Sequence, residues 1–173
     1  REVEREGPGE DCRKAAVADG DGGEARLEAG PTPATRILMP RRVVAPTMRE
    51  ITTDDVPEAL GPYSQGIVSG DTVHVSGKTG VDPDTGEAPE SVAEQTTQTL
   101  ENVAAILEAA GTTPDAVVSA TVYLTDMDDY GAVNEAYRSF LSEPYPARTC
   151  VEVSRLPAPL DVEITVTAEL DND

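Results

Sequence analysis

Apolar positions recur in two rhythms along residues 48–170, and the rhythms change at turn residues. Val73 and Val75 alternate with Thr72, His74 and Ser76. Side chains on a strand alternate between faces, so this run predicts a two-faced strand. Ile67–Ser69 and Thr72–Ser76 flank Gly70-Asp71, a hairpin dipeptide. Arg49–Thr52 predicts a short edge strand, and residues 77–89, with Asp82-Pro83-Asp84-Thr85-Gly86, a loop. Ser91-Val92-Ala93-Glu94 matches a capping box, so a helix opens there. Leu100, Val103, Leu107 and Ala110 continue it at helical spacing, and Gly111 stops it. After a brief turn at Thr113-Pro114, Val118, Ala120, Val122 and Leu124 form the apolar face of a further strand.

Asp128 or Asp129 caps a second helix with the stripe Tyr130, Val133, Tyr137, Phe140 and Leu141, ended by Pro144 and Pro146. Two strands close the chain, Arg148–Arg155 and Asp161–Glu169. The order ββ(β)αβαββ predicts an α+β domain with two helices on the aliphatic face of one sheet. The opposite face, small, polar and Thr-rich, suits an interface between identical subunits or a solvated surface.

Charge narrows the partners. The chain has 173 residues and a formal net charge of −20. Residues 1–47 hold eight basic and nine acidic side chains, so about −19 falls on the rest, with Arg49, Lys78, Arg138, Arg148 and Arg155 as its five cations. Such a surface repels nucleic acid and anionic membranes. Self-repulsion of this size is relieved by concentrated salt, which reads as a halophilic adaptation. Residues 1–47 lack periodicity and read as a disordered tail or a gene-model artefact upstream of a start at Met48; the domain is 48–173. The two cysteines, Cys12 and Cys150, are not expected to pair, which fits a reducing cytoplasm. One histidine, His74, gives no zinc set, and no apolar run is long enough to span a membrane.

Candidate chemistry gathers near the C-terminus. In Pro146-Ala147-Arg148-Thr149-Cys150-Val151-Glu152-Val153, alternation sets Arg148 and Cys150 on one face and Thr149, Val151 and Val153 on the other. The valine face calls for the core. Arg148 then presents a planar fork of donors suited to a carboxylate. Were the last two strands a hairpin, Glu163 would join Arg148 and Cys150, as an acid–base site for a small carboxylic acid or as an ordinary cross-strand pair. Ser76 points to that face or to solvent, Tyr63 in Gly61–Gly66 covers a pocket or packs, and Asn134 is a pocket or surface amide. Arg148 would favour the Cys150 thiolate, but no His stands nearby in sequence to make it a nucleophile.

Gly61-Pro62-Tyr63-Ser64-Gln65-Gly66, Val75-Ser76-Gly77, Tyr123-Leu124-Thr125-Asp126-Met127, Ala132-Val133-Asn134, Pro146–Val153 and Val162-Glu163-Ile164 stand in an order that resembles the Rid family (YjgF/YER057c/UK114), and most of all its RidA subgroup. The resemblance runs from about Met48 to Leu170. It implies a chorismate mutase-like α+β fold, assembled as a homotrimeric barrel with active sites in clefts between subunits. It implies a 2-iminobutanoate/2-iminopropanoate deaminase. Such an enzyme hydrolyses small 2-imino or 2-enamino acids, released by pyridoxal-phosphate enzymes, to 2-oxo acids and ammonia without a cofactor. By that resemblance Arg148 clamps the carboxylate, Glu163 positions water, and Tyr63, Ser76, Asn134 and Cys150 line the pocket. The alternative is a non-catalytic module of the same fold that binds ligands or stabilises proteins. Lys78-Thr79-Gly80 departs from the usual Gln-Ile-Pro-like stretch, which bears on pocket shape.

Overall fold

A computed structural model describes residues 47–170, and the tail or artefact reading of 1–47 lies outside these residues save for Thr47. The elements are β1 (Met48–Ile51), β2 (Gly66–Ser69), β3 (Thr72–Thr79), α1 (Val92–Ala110), β4 (Val117–Leu124), α2 (Tyr130–Phe140), β5 (Ala147–Glu152) and β6 (Val162–Glu169). Short 3-10 turns at Pro114–Ala116 and Met127–Asp129 precede β4 and α2. The strands form one mixed sheet in the order β1-β2-β3-β6-β4-β5. Only the β4–β5 pair is parallel. The parallel pair follows from the connection: α2 carries the chain back across the sheet before β5 begins.

Both helices lie on one face. Val73 and Val75 of β3, Ala120, Val122 and Leu124 of β4, and Val162, Ile164, Val166 and Ala168 of β6 meet Leu100, Val103, Ile106 and Leu107 of α1 and Val133 and Tyr137 of α2 in a single core. The capping box is real: the Ser91 hydroxyl accepts from the Glu94 N–H and donates to the Glu94 carboxylate. At the other end Gly111 takes the left-handed conformation, φ 95°, and its N–H returns to the Leu107 and Glu108 carbonyls. Polar groups on α1 are also buried, and each has a structural task. Asn102 donates to the carbonyls of Thr79 and Val81, at 2.9 and 2.8 Å, and Gln95 bridges Pro89 and Asp161.

Several expected details are corrected. β3 runs three residues beyond Ser76, into the stretch read as loop. A bulge lies between Val75, opposite Val166, and Lys78, opposite Ile164. The extra residue restarts the alternation, so Lys78 takes a core-facing position and Ser76 and Gly77 lie between the two inward positions. A second irregularity, between Val117 and Ser119, buries Val117 and leaves Val118 46% exposed, so Val118 does not belong to the apolar face. Neither Asp128 nor Asp129 caps α2 through its side chain; Asp126 accepts from the Asp128 N–H and caps the 3-10 turn that leads into it. The last two strands are not a hairpin. β5 is an edge strand beside β4, and β6 sits between β3 and β4.

Gly80 marks the closest approach of the segment after β3 to α1. A Cβ there would fall 2.7 Å from the Gln95 Cα and against the Gln95 carbonyl, and backbone cannot step aside as a side-chain tip can. Gly80→Ala is therefore expected to cost about 1–3 kcal/mol, read as a lowered denaturation midpoint with unchanged slope.

Candidate active site

The register of the sheet sorts the expected site residues into two groups. Arg148 lies opposite Ala120, and Cys150 opposite Val122, both core-facing positions of β4. Their side chains are half-buried on the helix side, whereas Thr149 and Val151, expected to face the core, are exposed. The reason is position: β5 is an edge strand, and α2 reaches over its Arg148 face. Arg148 Nη2 donates to the Asn134 side-chain oxygen on α2 and lies 3.3 Å from the Tyr130 hydroxyl. Its guanidinium carbon sits 4.7 Å from the Tyr137 ring centre and 5.6 Å from that of Tyr130, within cation–π range. Asn134, Tyr137, Tyr145 and Arg148 line a small cavity of about 230 Å³. No carboxylate among the described residues pairs with Arg148. Burial pushes the Cys150 thiol up, and Arg148 offsets only part of this. Burial likewise raises Tyr137, whose hydroxyl is buried without a partner.

Glu163 lies opposite Thr79 and Tyr123, on the face that the helices leave open. Its carboxyl rests on the backbone of Gly77, where a Cβ would lie only 2.7 Å from Glu163 Cδ. Glycine at 77 is thus what admits the carboxyl. Burial raises the Glu163 pKa, and no basic side chain among the described residues offsets it. Ser76, next along β3, donates its hydroxyl to the Ser64 carbonyl at 2.7 Å, and its N–H bonds the Gln65 carbonyl. These two bonds tie the Gly61–Gly66 loop to the bulge. Tyr63 stands half-exposed on that loop, its hydroxyl accepting from the Leu60 N–H at 3.2 Å.

Arg148, Asn134 and Cys150 are therefore together on the helix side, Ser76 and Glu163 lie at the β3 bulge on the other side, and Tyr63 stands on the loop that Ser76 ties to that bulge. Position 151, not 148, is level with Glu163 across β4. Two strand spacings and three residues separate Arg148 from Glu163, roughly 14 Å between backbones. The meeting of Arg148 with Glu163 on one face of a hairpin is overturned. Sequence reasoning also missed Tyr130 and Tyr137 as the aromatic bed of Arg148, although both stood in the helical stripe.

The model of the family described as Endoribonuclease L-PSP matches residues 53–170. The chain belongs to this family, the Rid (YjgF) family of the resemblance. It is 44% identical over 123 residues to the 2-iminobutanoate/2-iminopropanoate deaminase of Escherichia coli K12, covering 69% of this chain and 96% of that protein. A RutC family protein of Saccharolobus solfataricus is 48% identical over 124 residues, covering 70% and 98%. Among solved structures, RidA of an Antarctic Psychrobacter superposes with a TM-score of 0.69 at 44% identity, covering 70% of this chain and 99% of that one. TdcF of E. coli with bound serine gives 0.68 at 40%, covering 71% and 99%. Two helices on a mixed six-stranded sheet are the Rid fold. Among the described residues no group of three or more His, Cys, Asp or Glu could hold a metal ion, and no helix is long and apolar enough to cross a membrane.

The Glu163 environment has a consequence for stability. The folded carboxyl holds its proton more tightly than the unfolded one, so its contribution is present at low pH and is lost as pH rises through the folded pKa. Glu163→Gln removes that loss. Its melting temperature is expected to exceed wild type by a few degrees at neutral pH, with the gap closing once pH falls below the ordinary carboxylate range. Thermal unfolding at the two pH values, at high salt, checks this.

Proposed function

We propose that the protein is a 2-iminobutanoate/2-iminopropanoate deaminase whose active sites are each completed by two copies of the chain in a homotrimer. One observation carries the reading. Glu163 is a desolvated carboxyl without a cation, and Arg148 is a half-buried guanidinium without a carboxylate, on faces that one chain cannot join. A neighbouring copy presenting its Arg148 edge to the uncovered sheet face brings the halves together. The names of the relatives support the substrate class. The charge of about −19 outside residues 1–47 disfavours RNA as a substrate, whatever the family's description suggests.

The chemistry needs little machinery. A protonated imine is already electrophilic at carbon. Arg148, held by Asn134 and stacked on Tyr137, grips the substrate carboxylate at two points. Glu163, resting over Gly77, takes a proton from water as its oxygen bonds to the imine carbon, giving a carbinolamine. The same carboxyl returns the proton to nitrogen, the C–N bond breaks as the carboxylate takes the hydroxyl proton and the carbonyl forms, and the departing ammonia picks that proton up; overall, iminium and water become 2-oxo acid and ammonium. Tyr63 and Ser76 shape the pocket from the Glu163 side, and Cys150 lines it from the Arg148 side as a thiol rather than a nucleophile. Because only the ionised carboxyl accepts the first proton, the rate rises with pH as Glu163 ionises, burial within one chain pushing its pKa up and a neighbour's Arg148 pulling it back down.

Imine released by a threonine dehydratase is followed at high salt, with and without the protein. Wild type speeds its loss; folded protein that does not refutes the reading. Arg148→Ala and Glu163→Gln are each expected to be inactive yet still assembled. Mixed after unfolding and refolded together, they should recover about a quarter of wild-type activity, since random trimers place an intact Arg148 beside an intact Glu163 at that frequency. No recovery removes the shared site.

Gly77→Ala separates catalysis from folding. The nearest atoms to its Cβ all belong to the Glu163 side chain, so the carboxyl moves while the strand stays. The expected result is a fall of about 100-fold in kcat/KM with little change in melting temperature.

A further inference from the structure

Lys78 is 7% exposed, on the core-facing side of β3 opposite Ile164. The other domain cations are accounted for. Arg49 donates to the Ala110 carbonyl, Arg138 pairs with Glu135, Arg155 lies exposed, and Arg148 has its place on α2. No described carboxylate pairs with the Lys78 ammonium, and burial lowers its pKa without any opposing charge. The side chain is largely buried and its ammonium partly desolvated with no counter-ion, which is costly, so its position at a cavity suggests an anion supplied from outside.

The lysine lines a cavity of about 240 Å³, with Leu60, Tyr63, Gly77, Val81 and Asn102 among its walls. Asn102 fixes the far wall through the Thr79 and Val81 carbonyls. Gly77 belongs both to this cavity and to the Glu163 half of the proposed site, and Tyr63 forms a wall of the cavity. Glu58 also borders the cavity, but it is exposed and forms no ion pair with Lys78.

We propose that the cavity behind Tyr63 is a subsite for a second carboxylate, with Lys78 as its counter-charge, so that the protein accepts dicarboxylic 2-imino and 2-oxo acids. The inference rests on the deaminase reading for the position of the first carboxylate. Its chemical logic is the charge at 78: an uncharged side chain there would leave an acidic substrate end unpaired, and the ammonium meets it.

Calorimetric binding of 2-oxobutanoate and of 2-oxoglutarate to the full chain at high salt provides the test. Wild type is expected to bind the dicarboxylate about tenfold more tightly. Lys78→Met should abolish that preference and leave 2-oxobutanoate affinity within about twofold. Should Lys78→Met fail to fold, Glu58→Gln gives the opposite sign: about two- to threefold tighter 2-oxoglutarate and unchanged 2-oxobutanoate, because a competing carboxylate leaves the rim. Equal affinities in wild type, a preference that survives Lys78→Met, or a Glu58→Gln variant indistinguishable from wild type overturns the proposal. Lys78-dependent dicarboxylate binding without imine turnover upholds the subsite and refutes the deaminase. Turnover of monocarboxylic imines without that dependence does the reverse.

Discussion

A strand gives every second side chain to each face, and this chain lays helices over only one face of its sheet. That asymmetry governs where chemistry can occur. Most of what points toward α1 and α2 is absorbed into the core, and Arg148 escapes it by sitting at the β5 edge. Whatever points the other way, as Glu163 does, stays half-open. The guanidinium and the carboxyl are thus kept apart by the same alternation that gives the core its continuity. One chain has both halves of an acid–base pair and no means of closing them on each other. On the proposed reading, this turns the open face from a packing deficit into a place for a neighbour.

The bulge in β3 is the second determinant. Without the extra residue, the alternation from Val75 would set Gly77 inward and Lys78 outward. With it, Gly77 lies beneath the Glu163 carboxyl and Lys78 turns inward to a cavity. One irregularity therefore seats a carboxyl and turns a lysine inward at adjacent positions. Bulges often mark sites where a side chain must be re-aimed, and here two are re-aimed at once. The Ser76 bonds to the Ser64 and Gln65 carbonyls then carry the geometry to the loop that holds Tyr63.

Much of this was readable from residues. The capping box at Ser91, the Gly70-Asp71 hairpin, the α1 stripe and the two faces of β6 are local signals, and local signals survive folding. The motifs that mark the family also named Tyr63, Ser76, Asn134, Arg148, Cys150 and Glu163. What did not show was anything set by pairing. Alternation cannot announce its own interruption, so Lys78 was missed as an inward residue and Val118 was read onto the wrong face. Nor does alternation say which face is which: Thr149 and Val151 look like core in a list of residues, but β5 has α2 over its Arg148 side. Strand order, a long-range property, decided that β5 and β6 are separated by β4.

The charge distribution gives these placements their weight. In a domain with about −19 spread over its surface, a long-range field repels any anionic ligand, and salt screens that field beyond a few ångströms. Attraction must then come from cations at contact range. Three of the five domain cations are spent on a helix carbonyl, on an intrahelical pair or in solvent. The remaining two, Arg148 and Lys78, are the most desolvated available, where screening is weakest and each contact strongest. A chain that carries so few cations and keeps one half-buried and another largely buried without carboxylate partners sustains a desolvation cost that surface placement would have avoided. That cost is physically coherent if the missing partners are the carboxylates of what the protein binds.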